Sequence, residues 1–117
     1  MATHKRGEVW LANLDPVTGS EEGKTRPVLI IQNDVANEHS PVVIVAALTS
    51  AVSPKDYPTE ALVRAGEAGV RKDSVILLNQ IRTIDKRRLI QRWGALAPAT
   101  MEKVDEALKI SLGLVAL

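Results

Sequence analysis

The run VVIVAAL, Val42 to Leu48, is the longest apolar stretch of the chain. It is far shorter than the roughly 20 residues a membrane helix needs, and it is rich in β-branched side chains, so it reads as a central strand. A second such run, Val28 to Gln32, lies upstream, and the segment NDVANEHSP between them carries Asn, Asp, Ser and Pro punctuation with room for a helical turn. Shorter patterned segments flank this pair. In Gly7 to Leu14, Val9 and Leu11 fall on one face and Trp10 and Ala12 on the other, while Thr59 to Val63, Ser74 to Leu78, Ile81 to Ile84 and Leu89 to Leu96 alternate enough to be further strands. The tail has a different period. After Pro98-Ala-Thr100, Met101, Val104, Leu108 and Leu112 recur at helical spacing. Several short strands closed by one amphipathic helix predict an α+β, mainly β fold: a small, strongly curved antiparallel barrel with the helix packed on it. No repeat or low-complexity linker interrupts the pattern, so residues 1–117 are expected to fold as a single domain.

Small barrels fill their interiors with packing and leave the loops to do chemistry. Three loops adjoin the apolar strands here: Pro16 to Thr25, Asn33 to Pro41 and Thr49 to Pro58. The first contains GSEEGKT, which looks like a phosphate-binding glycine loop. It has one residue too few between its first glycine and the Gly-Lys pair, it carries two carboxylates that repel phosphate, and it leads into Arg26-Pro27 and a strand instead of a helix. Nucleoside triphosphate binding is excluded on those grounds. The loop instead delivers an arginine to the start of a strand.

Other chemistries are excluded by what the chain lacks. There is no cysteine, and the two histidines, His4 and His39, belong to no ligand-spaced cluster, so neither a metal centre nor a cofactor is expected. No nucleophile-elbow sequence supports a serine hydrolase. The N-terminal MATHKRGEVW is charged without an apolar core behind it, which argues against secretion and membrane insertion and for a cytoplasmic protein. Net charge is only +1, but Arg82, Lys86, Arg87, Arg88 and Arg92 are close enough in sequence to make one basic patch or, alternatively, a solvated face. With no Phe, one Tyr and two Trp, a long base-stacking platform is not available, although one or two stacked bases are.

What remains is a positioned cation and hydroxyls. If the strands of Arg26 and Thr49 are antiparallel neighbours, the guanidinium and the hydroxyls of Thr49 and Ser50 meet at one rim and suit a phosphate. The competing reading pairs Arg26 with Glu21 or Glu22.

The blocks GEVWLANLDPVTGSEEGKTRPVLIIQND, VIVAALTS and DSVILLNQIRTIDKRRL, in this order and at these spacings, resemble the MazF/PemK (Kid) toxins of bacterial toxin–antitoxin modules over nearly the whole chain. The resemblance implies a CcdB/MazF-type SH3-like barrel, a homodimer, and a metal-independent endoribonuclease that cuts single-stranded RNA at short sequences. It also implies a MazE-like antitoxin whose disordered segment occupies the RNA groove. By position, Arg26 and Thr49 are the implied catalytic pair. Ser20, Glu21, Ser50, Asn79 and Gln80 are implied substrate contacts, and Lys55 and Tyr57 flank the groove. The implied reaction is attack of the ribose 2′-hydroxyl on its adjacent phosphate, giving a 2′,3′-cyclic phosphate and a 5′-hydroxyl; DNA lacks that nucleophile. Relatives often carry Asp or Glu where Asn79 stands. A neutral amide cannot take the proton, so Asn79 reads as a base-contacting group, and either the acid–base work falls on Arg26 with solvent, or Glu21 helps, or the enzyme is slow. Two alternatives keep the fold: a noncatalytic RNA-binding barrel, and a gyrase-directed toxin, neither of which needs Arg26 and Thr49 together.

Overall fold

A computed structural model describes residues 3–15, 24–53 and 55–116. Six strands form one antiparallel sheet: β1 (Glu8–Asn13), β2 (Thr25–Ile30), β3 (Val42–Thr49), β4 (Glu60–Val63), β5 (Ser74–Asp85) and β6 (Leu89–Ala95), in the order β4-β5-β3-β2-β1-β6. A short helix α1 (Asp34–His39) joins β2 to β3, and α2 (Pro98–Ser111) ends the fold. The two apolar runs are the central strands. Both of their faces are buried except at the start of β3, where Val42 and Ile44 are exposed: Leu29, Ala46 and Leu48 join one core, and Val28, Ile30, Val43, Val45 and Ala47 join another on the opposite face.

Three boundaries differ from the sequence expectation. Ser74 to Leu78 and Ile81 to Ile84 are one continuous strand, β5, because the ladder to β3 shifts register between Ala46 and Leu48 and the polar pair Asn79-Gln80 falls in the irregular stretch. A bulge of this kind bends a strand and sharpens its twist without ending it, and it lets β5 serve the curl of the sheet. β2 begins at Thr25, three residues before the apolar run, because Arg26 and Pro27 pair with Ala12 and Leu11 of β1. Proline is tolerated there because the β3 pairs begin only at Val28. Pro98 is the first residue of α2, where its missing N–H leaves no bond unmade. On α2, Val104 and Ala107 are buried and Met101 and Leu108 pack against the core, whereas Leu112 lies past the helix end and is 52% exposed.

The sheet curls into a half-barrel whose outer strands, β4 and β6, do not pair with each other. Its gap is narrowed by a 3₁₀ turn at Glu67–Gly69, which meets β6 backbone to backbone. A Cβ on Gly69 would lie 2.5 Å from the Trp93 carbonyl oxygen, and one on Gly94 would lie 2.8 Å from the Ala68 carbonyl carbon. Only glycine permits that approach, and Gly69 also needs its positive φ of 79°.

Polar ties fix the ends. Arg6 donates from Nε to the Ile31 carbonyl (2.9 Å) and from Nη2 to Asp105 (2.6 Å), and its backbone N–H donates to Asp34 (2.7 Å), which joins the N-terminal segment, α1 and α2. Asn33 caps α1 by accepting from the Ala36 N–H, and the buried Asn37 and Gln32 amides bond each other at 3.0 Å. No helix among the described residues is long and apolar enough to cross a membrane.

Candidate functional site

The β2–β3 pairs end at Val28↔Ala47, two residues short of Arg26 and Thr49, and the same register extended to the strand ends would set those two residues opposite each other. The base of the preceding loop is held on both sides: the Leu14 N–H donates to the Lys24 carbonyl and the Lys24 N–H donates to Asp15 Oδ1, both at 2.7 Å, with Lys24 in the left-handed region at φ 62°. Arg26 therefore emerges from a fixed strand beside a fixed turn.

At this rim a cleft of about 220 Å³ is lined by Arg26, Pro27, Leu48, Ser50, Val70, Arg71, Lys72, Ser74 and Trp93. Three cations and two serines line a cavity with an indole wall, and among the described residues no carboxylate or imidazole is in the lining. Thr49 stands beside this cleft and not in its lining; its Oγ1 accepts from the Ala51 N–H at 3.1 Å. With a lone pair so engaged, the hydroxyl proton is left to point outward as a donor. The chemistry on offer is anion binding: guanidinium forks for paired oxygens, an ammonium as a point charge, and hydroxyl donors. Thr49 also pairs with Val75 across β3 and β5, which sets Ser74 next to the same rim.

Arg71, Lys72, Ser74 and Trp93 were not among the sequence-derived candidates. The loop that carries the first two turns through Gly66, Ala68 and Gly69, all at positive φ, and the Gly69 contact positions Trp93. A glycine-bracketed GEAGVRKDS segment with adjacent cations was the available signal, and only the fold shows which strand it faces.

The other candidates are placed differently. Lys55 and Tyr57 line a neighbouring cleft of about 240 Å³ with Val52, Ser53, Asp56, Glu60, Leu62 and Val75. Asn79 is exposed and Gln80 half-buried in the bulged middle of β5, and neither lines the Arg26 cleft. Ser20 and Glu21 lie outside the described residues. Among the described residues, no three His, Cys, Asp or Glu side chains converge as a metal site would require.

A second polar cluster lies under β6. Glu8 is buried, accepting from Arg92 Nε (2.8 Å), Trp10 Nε1 (3.0 Å) and the Lys5 N–H (2.9 Å). Burial pushes its carboxyl up, but these hydrogen bonds outweigh burial and hold it below the ordinary carboxylate value. Trp10 packs against the second core, and its ring tilts against His4 with centroids 4.6 Å apart.

Comparison with known proteins places this architecture. The profile of the PemK-like, MazF-like toxins of type II toxin–antitoxin systems matches residues 5–112. The chain is 53% identical to the endoribonuclease EndoA of Bacillus subtilis over 111 residues, covering 95% of this chain and 96% of that protein. It superposes on the crystal structure of MazF from Deinococcus radiodurans with a TM-score of 0.81, 26% identity, and 94% and 96% of the two chains covered. A mycobacterial endoribonuclease in complex with its cognate antitoxin gives a TM-score of 0.79 at 26% identity, covering 98% of this chain and all of that one.

Proposed function

The chain belongs to the family of PemK-like, MazF-like toxins of type II toxin–antitoxin systems, and on that premise we propose that it is a sequence-specific, metal-independent endoribonuclease acting on single-stranded RNA. The observation that carries the reading is the cleft lined by Arg26, Ser50, Arg71 and Lys72, with Thr49 next in the chain to Ser50, in a protein so similar to one named as an endoribonuclease.

In the reaction the 2′-oxygen attacks the adjacent phosphorus, the bond from phosphorus to the 5′-oxygen breaks, and the products carry a 2′,3′-cyclic phosphate and a 5′-hydroxyl. Negative charge grows on the phosphoryl oxygens in the transition state. Arg26 forks onto the two non-bridging oxygens and Thr49 donates to one of them, so both bind the transition state more tightly than the substrate. A guanidinium gives up its proton only above about pH 12, which makes Arg26 an anchor for charge and not a base. The described lining holds no other base, so water takes the 2′-proton and returns one to the 5′-oxygen, unless Glu21 of the adjoining loop reaches the site. Ser20, Glu21, Ser50, Lys55 and Tyr57 contact the strand on either side of the cut, and Asn79 and Gln80 read base edges farther along β5. As a toxin it stops translation by cutting messenger RNA in the cytoplasm, as a homodimer of 117-residue toxin domains. A cognate antitoxin relieves it by covering the same cationic rim.

The test is incubation of wild type and Arg26→Ala with a long single-stranded RNA in excess chelator, followed by mapping of fragment ends. Discrete cuts with cyclic-phosphate ends, absent in a folded Arg26→Ala, are expected. An intact RNA that is nonetheless bound by wild type would overturn the nuclease reading in favour of a noncatalytic barrel.

A further inference from the structure

Adjoining the Arg26 cleft is a second, more open depression of about 460 Å³, lined by Leu11, Gly69, Arg71, Gln91, Arg92 and Trp93. Arg71 and Trp93 line both, so the indole is a ridge between them and the Arg71 guanidinium borders each side. The chemistry proposed above makes no use of this second hollow. Its lining is nonetheless that of a nucleotide site. Arg92 is anchored from below by Glu8, which takes Nε and is itself fixed by Trp10 and the Lys5 N–H, leaving the terminal nitrogens as forward donors on a guanidinium that cannot swing away. Gln91, exposed on β6, offers an amide that both donates and accepts, and Leu11 supplies apolar surface. Arginine for a phosphate, an amide for a base edge and an indole for a base face are the groups by which single strands are held.

We infer that the hollow formed by Leu11, Arg71, Gln91, Arg92 and Trp93 is a flanking subsite for one nucleotide of the single strand whose neighbour occupies the Arg26 cleft, an inference that rests on the RNA reading above. A strand leaving the Arg26 cleft crosses the Trp93 ridge and sets its next phosphate between Arg71 and Arg92. Glu8 neutralises one charge of that pair, so the subsite adds about one net positive charge and serves more to fix the register of the strand than to bind it tightly. Filling it steepens the dependence of log affinity on log salt by about 0.7, the contribution of one phosphate in a single strand.

The test uses uncuttable probes: a short one of a single deoxynucleotide 5′-phosphate, which the more cationic Arg26 cleft takes in preference to the hollow, and random-sequence oligodeoxynucleotides of about ten residues, which span both. Each is titrated at several salt concentrations against wild type, Gln91→Glu and Gln91→Lys. The expected result is a long strand held about threefold more weakly by Gln91→Glu and about threefold more tightly by Gln91→Lys, with the single nucleotide unchanged. The gain in the lysine variant could not come from misfolding. Equal shifts for both lengths, no shift for either, or a wild type that holds neither probe would overturn the subsite. Intact RNA cutting with no length-dependent response at residue 91 removes the subsite alone; the expected binding pattern without any RNA cutting removes the nuclease alone.

Discussion

Arg82, Lys86, Arg87, Arg88 and Arg92 are neighbours in sequence, whereas Arg26 is far from the Arg71-Lys72 pair, and it is the second group that surrounds the rim cleft. Each cation of the first group has a partner within the molecule, Arg87 at the surface, and only Arg92 also lines the hollow beside the rim. Arg82 donates to the Leu14 carbonyl (3.0 Å), Lys86 to the Asn37 carbonyl, Arg88 to the Asn13 (3.1 Å) and Asp15 carbonyls, Arg87 to Asp85 (3.0 Å) and Arg92 to Glu8 (2.8 Å). These bonds hold β1, α1 and β6 in place. At the rim, by contrast, Arg71 and Lys72 are exposed and have no side-chain partner among the described residues. Charge density along a sequence therefore marks where a fold is tied. A binding site is marked by charges that the fold gathers from distant positions around one cleft.

The sharpest break between the two groups is catalytic. Arg26→Ala should lower kcat by about 10²–10³ with an unchanged melting temperature, as expected when one donor to a developing oxyanion is removed; a comparable loss in Arg82→Ala, at equal folding, would erase the distinction. Next is the closure that sets Trp93. Gly94→Ala forces a methyl into the Ala68 backbone and should cost about 3 kcal/mol or more in a denaturant titration, with loss of the rim cleft.

Within the tied group, Glu8→Ala leaves Arg92 and Trp10 without their acceptor and should cost about 1–3 kcal/mol. The sign of its pH dependence follows from the lowered carboxyl of Glu8. The bonded carboxylate adds stability above its ordinary value near 4.5, and that stability is lost as pH falls through the lower folded value. Acid unfolding of Glu8→Ala should accordingly be flatter over that interval than that of wild type. Arg71→Ala and Lys72→Ala should each weaken RNA binding a few-fold and reduce the salt slope by about 0.7, which filter binding across salt concentrations would read. Smallest of all is Arg87→Ala. Its partner Asp85 is held at about 2 by hydrogen bonds from Arg87, yet both groups face solvent, so neither melting temperature nor cutting should change measurably.

The same contrast explains what could be read in advance. The strands around Val28 and Val42, their antiparallel adjacency and the C-terminal helix follow from local pattern, and the structure has each of them. β5 was read as two strands because Asn79-Gln80 interrupts an alternation that, in the fold, passes through a bulge. Trp93 and the Arg71-Lys72 pair were missed because their place depends on glycine turns whose long-range contact no spacing rule encodes. Leu112 was assigned to the helix face by period alone, but α2 ends before it.

The meeting of Gly69 and Gly94 with the opposite backbone has one more consequence. No ladder of hydrogen bonds joins β4 to β6, so β6 is held by its ladder to β1 on one side and on the other closes only through a narrow contact of bare main chain. Trp93 forms part of that clasp as well as a wall of the cleft. The cleft and the clasp are thus a single thermodynamic unit: amide protons of β6 and of residues 66–72 should exchange with solvent in one concerted opening, and the cleft should lose its shape in that same opening.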